Sequence, residues 1–315
     1  MYNESTETKS NGQETLETST TAIKEILDEI KTELSTIQHL DLAIIKKLSD
    51  VLKLLDILKG GTRITFFTGP MCSGKSGKLV DKSKELKEQG ILYQCYKPIL
   101  SERKIGDTED SATKINSRKY PDTSIEAVSL EQDFDVEILI NSIKDNGYKV
   151  VMFEETQFWP EQKLKEFIEK SKELKLQEII FAGLDMDFLG RKFAQFELLN
   201  EIAQTILLTA NCSVKGCKEK ATHTAKTGGN TNQQIEAGGE GMYQPCCYVH
   251  WRFLNILFDN KIIIDEELEN KYSEEIKKLT DAISSFNKND VIEFKDGKKI
   301  CFNTKSHTCY SIQSK

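Results

Sequence analysis

The sequence contains no apolar run that approaches the ~20 residues needed to cross a membrane, so we expect no membrane partner. Basic residues are not in excess either: 43 Lys and Arg are outweighed by 50 Asp and Glu, giving a formal net charge of -7. A general nucleic-acid-binding protein normally carries a basic patch or stripe, so we expect no nucleic-acid partner. The charge balance does not exclude a small anionic ligand held in a local pocket.

A secretory signal is also missing from the place where one would be expected. The polar and acidic stretch 1–21 lacks the basic start and apolar centre of a signal peptide. We therefore expect a cytoplasmic protein whose eight cysteines are reduced. In a reducing compartment, spaced cysteines indicate metal binding or chemistry more often than disulfides.

The composition changes along the 315 residues, which are enough for about two domains. Gly60 and Gly61 end a helical pattern, and a Gly-, Cys- and Thr-rich stretch with little periodicity follows Ala210. These changes predict five segments: a disordered tail (1–21), a helical or coiled-coil extension (22–59), a phosphate-loop domain (62–210), a small metal-held domain (211–252) and an extension with a helix and a hairpin (253–315).

Four short apolar runs alternate with charged helical stretches in the third of these segments. The runs cover residues 63–69, 91–98, 148–155 and 176–184. Near-continuous apolar strands between helices are typical of a parallel sheet with both faces covered. The pattern therefore predicts an α/β fold with a parallel sheet flanked by helices.

The helical extension carries a heptad pattern, because apolar residues recur from Ile23 to Leu58 at alternating steps of four and three. Mostly leucine occupies core position a and mostly isoleucine occupies d, a combination that shifts coiled coils from dimers towards trimers or tetramers. Asp41 interrupts the leucine row. An amphipathic helix, or a hairpin broken at His39–Asp41, that folds back on its own domain therefore remains an alternative.

A glycine-rich motif of the form G-x-x-x-x-G-K-[ST] follows the first apolar run. Such a loop curls so that successive backbone N–H groups point at phosphate oxygens, while its lysine reaches the β/γ-phosphates and its hydroxyl reaches Mg²⁺. A chance glycine-rich turn is the alternative, but a strand precedes the motif and a helical pattern follows it. The predicted ATP- and Mg²⁺-binding residues are Gly69, Pro70, Met71, Cys72, Ser73, Gly74, Lys75 and Ser76.

Two adjacent carboxylates, Glu154 and Glu155, come at the end of the apolar run 148–155. Burying a pair of charges is costly, so their position indicates a function rather than decoration. One carboxylate can bind Mg²⁺ through water and the other can act as a general base. An exposed acidic loop is the alternative.

Seven short motifs occur in order between residues 62 and 251: GPMCSGKS, EETQFW, GLDMDF, ILLTANC, ATHT, GGEGMY and CCYVH. They resemble the motifs of the cellular-type (type II) thymidine kinases. The resemblance implies a P-loop NTPase-type sheet with a small zinc-bound, lasso-like domain that covers the nucleoside. It also implies a homotetramer that transfers the γ-phosphate of ATP, with Mg²⁺, to the 5′-hydroxyl of thymidine.

The same resemblance assigns catalytic roles to individual residues. Glu155 corresponds to the base that takes the proton from the nucleoside 5′-hydroxyl, and Glu154 to the metal-assisting acid, where the family has Asp. Arg103 corresponds to an arginine that steadies the transferring phosphate and would act with Lys75. A solvated surface arginine is the alternative for Arg103.

The resemblance also implies a nucleoside site made of three groups of residues. Main-chain groups of a base-covering loop, an aromatic near the sugar, and side chains around the 5-position and the apolar walls contribute to it. These residues are Ile235, Ala237, Gly238 and Gly239, then Tyr243, then Met71, Leu184 and Thr224, and finally Phe158, Phe188 and Phe193. Each phenylalanine, taken alone, is more often a core residue than a pocket residue.

Two close pairs of metal-ligand residues lie about thirty positions apart: Cys212 with Cys217, and Cys247 with His250. Thiolates and imidazole in two pairs suit a tetrahedral, structural Zn²⁺ that would tie down the base-covering loop. Free thiols in a loop are one alternative. Cys246 could replace Cys247, although Cys247 keeps the family's distance of four residues from the tyrosine.

Three functions follow from these patterns. The leading interpretation is an ATP-dependent thymidine kinase, with nucleoside and ATP as its small-molecule partners. The second is a catalytically weak nucleotide-binding module with a phosphate loop and zinc, which would have a regulatory or partner-binding role. The third is an ATPase that remodels nucleic acid, and the acidic charge balance weakens it.

Overall fold

The computed structural model describes residues 61–99, 113–117, 119–227, 242–258, 262–283, 291–303 and 308–313, together with residues 47, 51 and 260. The predicted tail, nearly all of the predicted coiled coil, Arg103 and residues 235–239 lie outside these ranges. Within them, every helix is too short or too polar to span a bilayer.

The first part of the described chain alternates strands and helices. In order, its elements are β1 (Arg63–Thr68), α1 (Lys75–Glu88), β2 (Tyr93–Pro98), β3 (Lys114–Ser117), β4 (Tyr120–Glu126), β5 (Val128–Leu130), α2 (Val136–Asp145), β6 (Val150–Phe153), a 3₁₀ turn (Thr156–Phe158), α3 (Glu161–Ser171), a second 3₁₀ turn (Lys172–Leu174), β7 (Glu178–Gly183), α4 (Ala194–Ile202) and β8 (Gln204–Leu207).

Six of these strands form one sheet in the order β5-β2-β6-β7-β1-β8. Every pairing in it is parallel, so the predicted α/β fold is confirmed. The four apolar runs became β1, β2, β6 and β7. Strands β5 and β8 form the edges and were not predicted, because they are short and no more than half buried.

The two central strands, β6 and β7, are buried along their whole length. Their side chains alternate between the faces of the sheet, as the pleat requires. Val151 and Phe153 pack with α2, α3 and α4 on one face. Met152 and Ile180 pack on the other, with α1 and the β3–β4 hairpin. Helices cover both faces, which explains why the central runs show no polar alternation.

The second part of the described chain is made of small antiparallel sheets and three helices. Its elements are β9 (Ala210–Asn211), β10 (Lys220–Ala221), β11 (His223–Lys226), β12 (Tyr243–Cys246), α5 (Tyr248–Leu257), α6 (Glu266–Lys271), α7 (Ser273–Ile283), β13 (Val291–Glu293), β14 (Lys298–Asn303) and β15 (Thr308–Gln313). The strands pair as β9 with β10, β11 with β12, and β13-β14-β15.

One hydrophobic cluster joins this second part. It contains Cys212 and Val214 from the turn after β9, Trp251 from α5, Ile276 from α7 and Phe294 beside β13. The predicted segment limit at 252/253 falls inside α5. Residues on both sides of that limit therefore share a core.

Candidate active site

Chain segments leave the carboxyl ends of three neighbouring strands, β6, β7 and β1, at the same edge of the sheet. The glycine-rich loop follows β1, Glu154 and Glu155 follow β6, and Leu184 and Asp185 follow β7. In open parallel sheets this edge is where ligands bind. The topology thus brings together residues 69–76, 154–155 and 184–185, which lie in three separate parts of the sequence.

The glycine-rich loop has a backbone that requires its glycines. Gly69 has φ 136°, and a Cβ there would lie 2.1 Å from the carbonyl oxygen of Leu208. Gly74 has φ 90° and precedes α1 without a side-chain cap. The N-terminus of α1 therefore has no side-chain cap from its N-cap residue, an arrangement suited to phosphate.

Lys75 folds back over this loop. Its Nζ donates to the carbonyl oxygens of Gly69 at 3.0 Å and Pro70 at 2.7 Å. Burial lowers the pKa of Lys75, while the nearby charges of Glu155 and Asp185 oppose that shift. The ammonium group therefore lies between the loop and the acidic groups at the strand ends.

Ser76 and Glu154 meet directly, because the Ser76 hydroxyl donates to Oε1 of Glu154 at 2.7 Å. The carboxyl group is buried, and the main-chain carbonyl of Glu154 accepts the indole N–H of Trp159 at 2.9 Å. A hydroxyl and a carboxylate oxygen side by side are hard ligands of the kind Mg²⁺ takes. The donor set fits the ion that a phosphate loop requires.

Glu155 has a left-handed backbone, φ 53° and ψ 50°, at the start of the 3₁₀ turn. For a residue other than glycine this conformation is strained, and such strain concentrates at functional sites. Its carboxylate accepts from Nε2 of Gln157 at 2.5 Å. The other end of the Gln157 amide accepts the N–H of Leu184 at 3.0 Å, so Gln157 fixes Glu155 relative to the end of β7.

Gln157 and Asp185 were missed by the sequence reasoning. Both stood in quoted motifs, EETQFW and GLDMDF, and Asp185 is the second residue after β7 as Glu155 is the second residue after β6. Burial raises the pKa of the Asp185 carboxyl, and the Lys75 charge opposes the shift. A carboxylate within two residues of the end of a buried strand was the available signal.

An apolar cluster lies beside the phosphate loop. Phe188, Leu189 and Tyr243 are buried in it, with Met71 packed against them. The ring centroids of Phe188 and Tyr243 are 6.2 Å apart. Of the predicted nucleoside residues, the structure therefore brings together Met71, Phe188 and Tyr243.

The remaining predicted nucleoside residues have separate environments. Thr224 is buried and its hydroxyl accepts the main-chain N–H of Met71 at 3.0 Å. Leu184 is half-buried beside Gln157. In the described part of the chain, Phe158 and Phe193 pack outside the apolar cluster: Phe158 ends the 3₁₀ turn and Phe193 precedes α4.

The four predicted metal ligands converge. One ligand atom from each of Cys212, Cys217, Cys247 and His250 lies within 4.8 Å of the others. Nδ1 of His250 is 3.6 Å from Sγ of Cys212 and 3.1 Å from Sγ of Cys247. Bond lengths of ~2.3 Å to sulfur and ~2.0 Å to nitrogen place tetrahedral zinc ligands about 3.6–3.8 Å apart, so the donor set fits zinc.

The local fold explains how these ligands meet. Gly216, with φ 83°, turns the chain between the first two cysteines. Cys247 and His250 are three residues apart at the start of α5 and so share one face of the helix. The buried Cys246 is instead the last residue of β12, where it pairs with His223.

Comparisons with known proteins agree on one family. The family model described as thymidine kinase matches residues 62–251. A thymidine kinase of Mycoplasma mobile is 30% identical over 203 residues, covering 62% of this chain and 92% of the relative. The thymidine kinase of Mycoplasma genitalium is 27% identical over 197 residues, covering 62% and 85%. That of Bdellovibrio bacteriovorus is 29% identical over 187 residues, covering 58% and 82%.

Proposed function

The chain belongs to the thymidine kinase family, and on that premise we propose that it transfers the γ-phosphate of ATP to the 5′-hydroxyl of thymidine. The observation that carries the proposal is the meeting of the phosphate loop, the Ser76–Glu154 pair and Glu155 at one edge of the sheet. Phosphoryl transfer depends mainly on positioning and on neutralising charge, and these groups are of the types it requires.

The phosphate loop, residues 69–76, would hold the triphosphate. Its backbone N–H groups and the N-terminus of α1 would donate to phosphate oxygens. Lys75 now donates to two loop carbonyls, and it would exchange those acceptors for phosphate oxygens when the nucleotide binds. Arg103 would add a second positive charge during transfer.

Ser76 and Glu154 would hold Mg²⁺. When bound, the ion supplies positive charge that offsets the charge developing on the phosphate oxygens. Glu154 is one methylene longer than the aspartate usual in the family, and its hydrogen bond to Ser76 shows that the longer side chain reaches the loop hydroxyl.

Glu155 would accept the proton of the thymidine 5′-hydroxyl as that oxygen attacks the γ-phosphorus. The bond from the γ-phosphorus to its bridging oxygen breaks and ADP leaves. Gln157 would position the base. Its side-chain amide donates a hydrogen bond to the carboxylate of Glu155 and accepts one from the main-chain N–H of Leu184. A general base must lie within hydrogen-bond reach of its proton, so this fixed direction matters.

Thymidine would lie against the cluster of Met71, Phe188 and Tyr243, with Leu184 and Thr224 near the 5-position of the base. Phe158 and Phe193 would support the walls, and Ile235, Ala237, Gly238 and Gly239 would cover the base. Zinc held by Cys212, Cys217, Cys247 and His250 would fix the fold of this nucleoside-covering lobe.

The wider organisation is proposed on the same premise. Residues 62–210 would form the kinase domain and 211–252 the nucleoside-covering domain. The extension 22–59 would reinforce a homotetramer, and the protein would act in the cytoplasm. Light scattering of the full chain and of a chain starting at Gly61 tests the tetramer: equal size and equal stability to dilution would show that the extension does not serve assembly.

One assay tests the function. Purified protein is incubated with labelled thymidine, ATP and Mg²⁺, and Glu155→Gln protein is the matched blank. We expect labelled thymidine 5′-monophosphate from the wild type alone. If the wild type binds ATP and thymidine but makes no product, the protein is instead a nucleotide-binding module.

A further inference from the structure

A short segment outside the family match packs directly against the metal-ligand turn. Residues 293–296, which we name the clasp, join β13 to the turn before β14. Phe294 is fully buried and forms a bridge with Val214. The amide of Lys215 donates to the carbonyl of Glu293, and the amide of Lys295 donates to that of Ser213, each at 2.8 Å. The clasp therefore extends the backbone pairing of the turn that carries two of the ligands.

The side chain of Lys295 contacts the ligand residues themselves. Its Nζ donates to the carbonyl oxygen of Cys212 at 2.6 Å and to that of Cys217 at 3.1 Å. One ammonium group thus connects the main chains of both cysteines of the first ligand pair. This ammonium group therefore links the two cysteines through their main-chain carbonyls.

The next clasp residue reaches the other half of the site. Oδ2 of Asp296 accepts from Nε2 of Gln244 at 2.6 Å. Gln244 lies on β12, three residues before Cys247. The clasp therefore holds the first ligand pair through Lys295 and the strand that leads to the second pair through Asp296.

Charge gives Lys295 a second role. Three thiolates, one neutral imidazole and a divalent cation sum to a net charge of -1, because zinc binds cysteine only as thiolate. Cys212 is fully buried, and a buried excess charge is costly unless an opposite charge lies near. Two other lysines of this turn and strand have acceptors away from the ligands: Lys215 pairs with Glu293, and Lys220 donates to Asn211.

We propose that Lys295 is a positioning residue of the metal centre, which ties Cys212 to Cys217 and offsets the negative charge of the zinc-bound thiolates. The proposal rests on the proposed zinc site. It assigns to the extension, which lies beyond the family match, a part in building the nucleoside-covering lobe.

The test compares the rate of zinc loss from full-length variants to a chromophoric chelator. Lys295→Met keeps the length of the stem and removes both donors and charge. Lys299→Met is the matched control, because Lys299 lies on the same hairpin and its Nζ is 3.9 Å from Glu293. Removing groups that support metal ligands typically costs about 10–100-fold in affinity. We expect zinc loss about tenfold faster in Lys295→Met and within about twofold of wild type in Lys299→Met.

Two further measurements distinguish an effect of the substitution on zinc binding from an effect on folding stability. Lys295→Arg keeps charge and donors and should recover most of the zinc retention. The melting temperature of each variant is taken with zinc and after its removal. Lys295→Met should reduce the zinc-dependent gain in melting temperature. The proposal would be overturned if Lys295→Met lowered the melting temperature equally with zinc and without it. It would also be overturned if Lys295→Met lost zinc at the wild-type rate.

The wild-type protein serves as the reference for the proposed function. Suppose that the wild type contains zinc and phosphorylates thymidine, and that Lys295→Met loses zinc at the wild-type rate. This result contradicts only the role of Lys295. Wild type without zinc contradicts the role of Lys295 and the metal site together. Wild type with zinc but no phosphorylation contradicts the proposed function alone, since zinc loss is measured without substrate.

Discussion

The main-chain N–H of Met71 donates a 3.0 Å hydrogen bond to the hydroxyl of Thr224, a residue 153 positions away. Met71 belongs to the phosphate loop and Thr224 to β11, which pairs with β12 next to the metal ligands. One bond therefore joins the parts of the protein proposed to hold ATP and nucleoside. Thr224 is buried, and this contact holds the phosphate loop against β11.

Thr224→Val should weaken that junction. Valine has the same shape but cannot accept a hydrogen bond, so the Met71 amide is left without its partner. An unsatisfied buried group costs about 1–3 kcal/mol, and we expect a loss of that size in the free energy of unfolding, with raised KM for thymidine. Thr222→Val is the control, since the Thr222 hydroxyl hydrogen-bonds the ring of its sequence neighbour His223. Unchanged stability and KM in Thr224→Val would show that the bond is dispensable.

Glu155→Gln should remove the general base and leave the fold intact. We expect kcat to fall by about 10²–10⁴, the usual contribution of a positioned base, with little change in KM. Glu161→Gln is the matched control, because Glu161 lies six positions further on and pairs with Lys165 on α3. A near-normal kcat for Glu155→Gln would mean that another group acts as the base. Asp185 would be the first candidate to test.

The metal site predicts one zinc ion per chain. Cys247→Ser should lose it, because Sγ of Cys247 lies 3.1 Å from Nδ1 of His250. Cys246→Ser should keep it, since Cys246 lies outside the converging group. Elemental analysis of freshly purified protein measures both. Zinc loss from Cys246→Ser with retention in Cys247→Ser would mean that the neighbouring cysteines exchange roles.

The buried ring of His223 should make stability fall in acid. Burial lowers the pKa of His223 from 6.5 to about 4, with the charge of Asp265 opposing the shift. The ring packs 4.5 Å from that of Trp251. As the pH falls below 6.5, the unfolded chain binds a proton that the folded chain excludes, so stability is full above 6.5 and is lost towards pH 4.

At pH 5.5 this linkage amounts to about 1 kcal/mol, since one pKa unit corresponds to about 1.4 kcal/mol. The free energy of unfolding is measured at pH 7.5 and 5.5 for wild type and His223→Gln. The wild type should lose about 1 kcal/mol more than the variant. Acid effects on the thiolates are common to both proteins and cancel. Equal losses would mean that His223 titrates normally in the folded state.

The apolar cluster at the proposed nucleoside site should favour a 5-methyl pyrimidine. A methyl group in an apolar pocket contributes about 1 kcal/mol or somewhat more, so kcat/KM for thymidine should exceed that for deoxyuridine by about tenfold. Competition between the two nucleosides at equal concentration measures the ratio directly. If kcat/KM for deoxyguanosine equals that for thymidine, the site is not specific for thymidine, although the protein would still be a nucleoside kinase.

The central fold and the composition of the candidate site could both be predicted from the amino-acid sequence. Near-continuous apolar runs between helices require a parallel sheet with both faces covered, and G-x-x-x-x-G-K-S specifies a loop whose glycines adopt positive φ. Both signals are local, because they arise from the side-chain period of a strand and from the backbone freedom of glycine. Cysteine spacing likewise indicated the ligand set that the structure brings together.

The contacts between distant parts of the chain could not be predicted from the sequence and are seen in the folded protein alone. Nothing in the sequence around Thr224 indicates the Met71 amide, and the bonds from Lys295 to Cys212 and Cys217 span 83 and 78 residues. Such contacts leave no periodicity, since each is one polar group satisfying another across a loop. The positioning roles that we propose for Gln157 and Lys295 therefore rest on contacts in the folded chain, because they depend on which carbonyl and amide groups folding brings within hydrogen-bond distance.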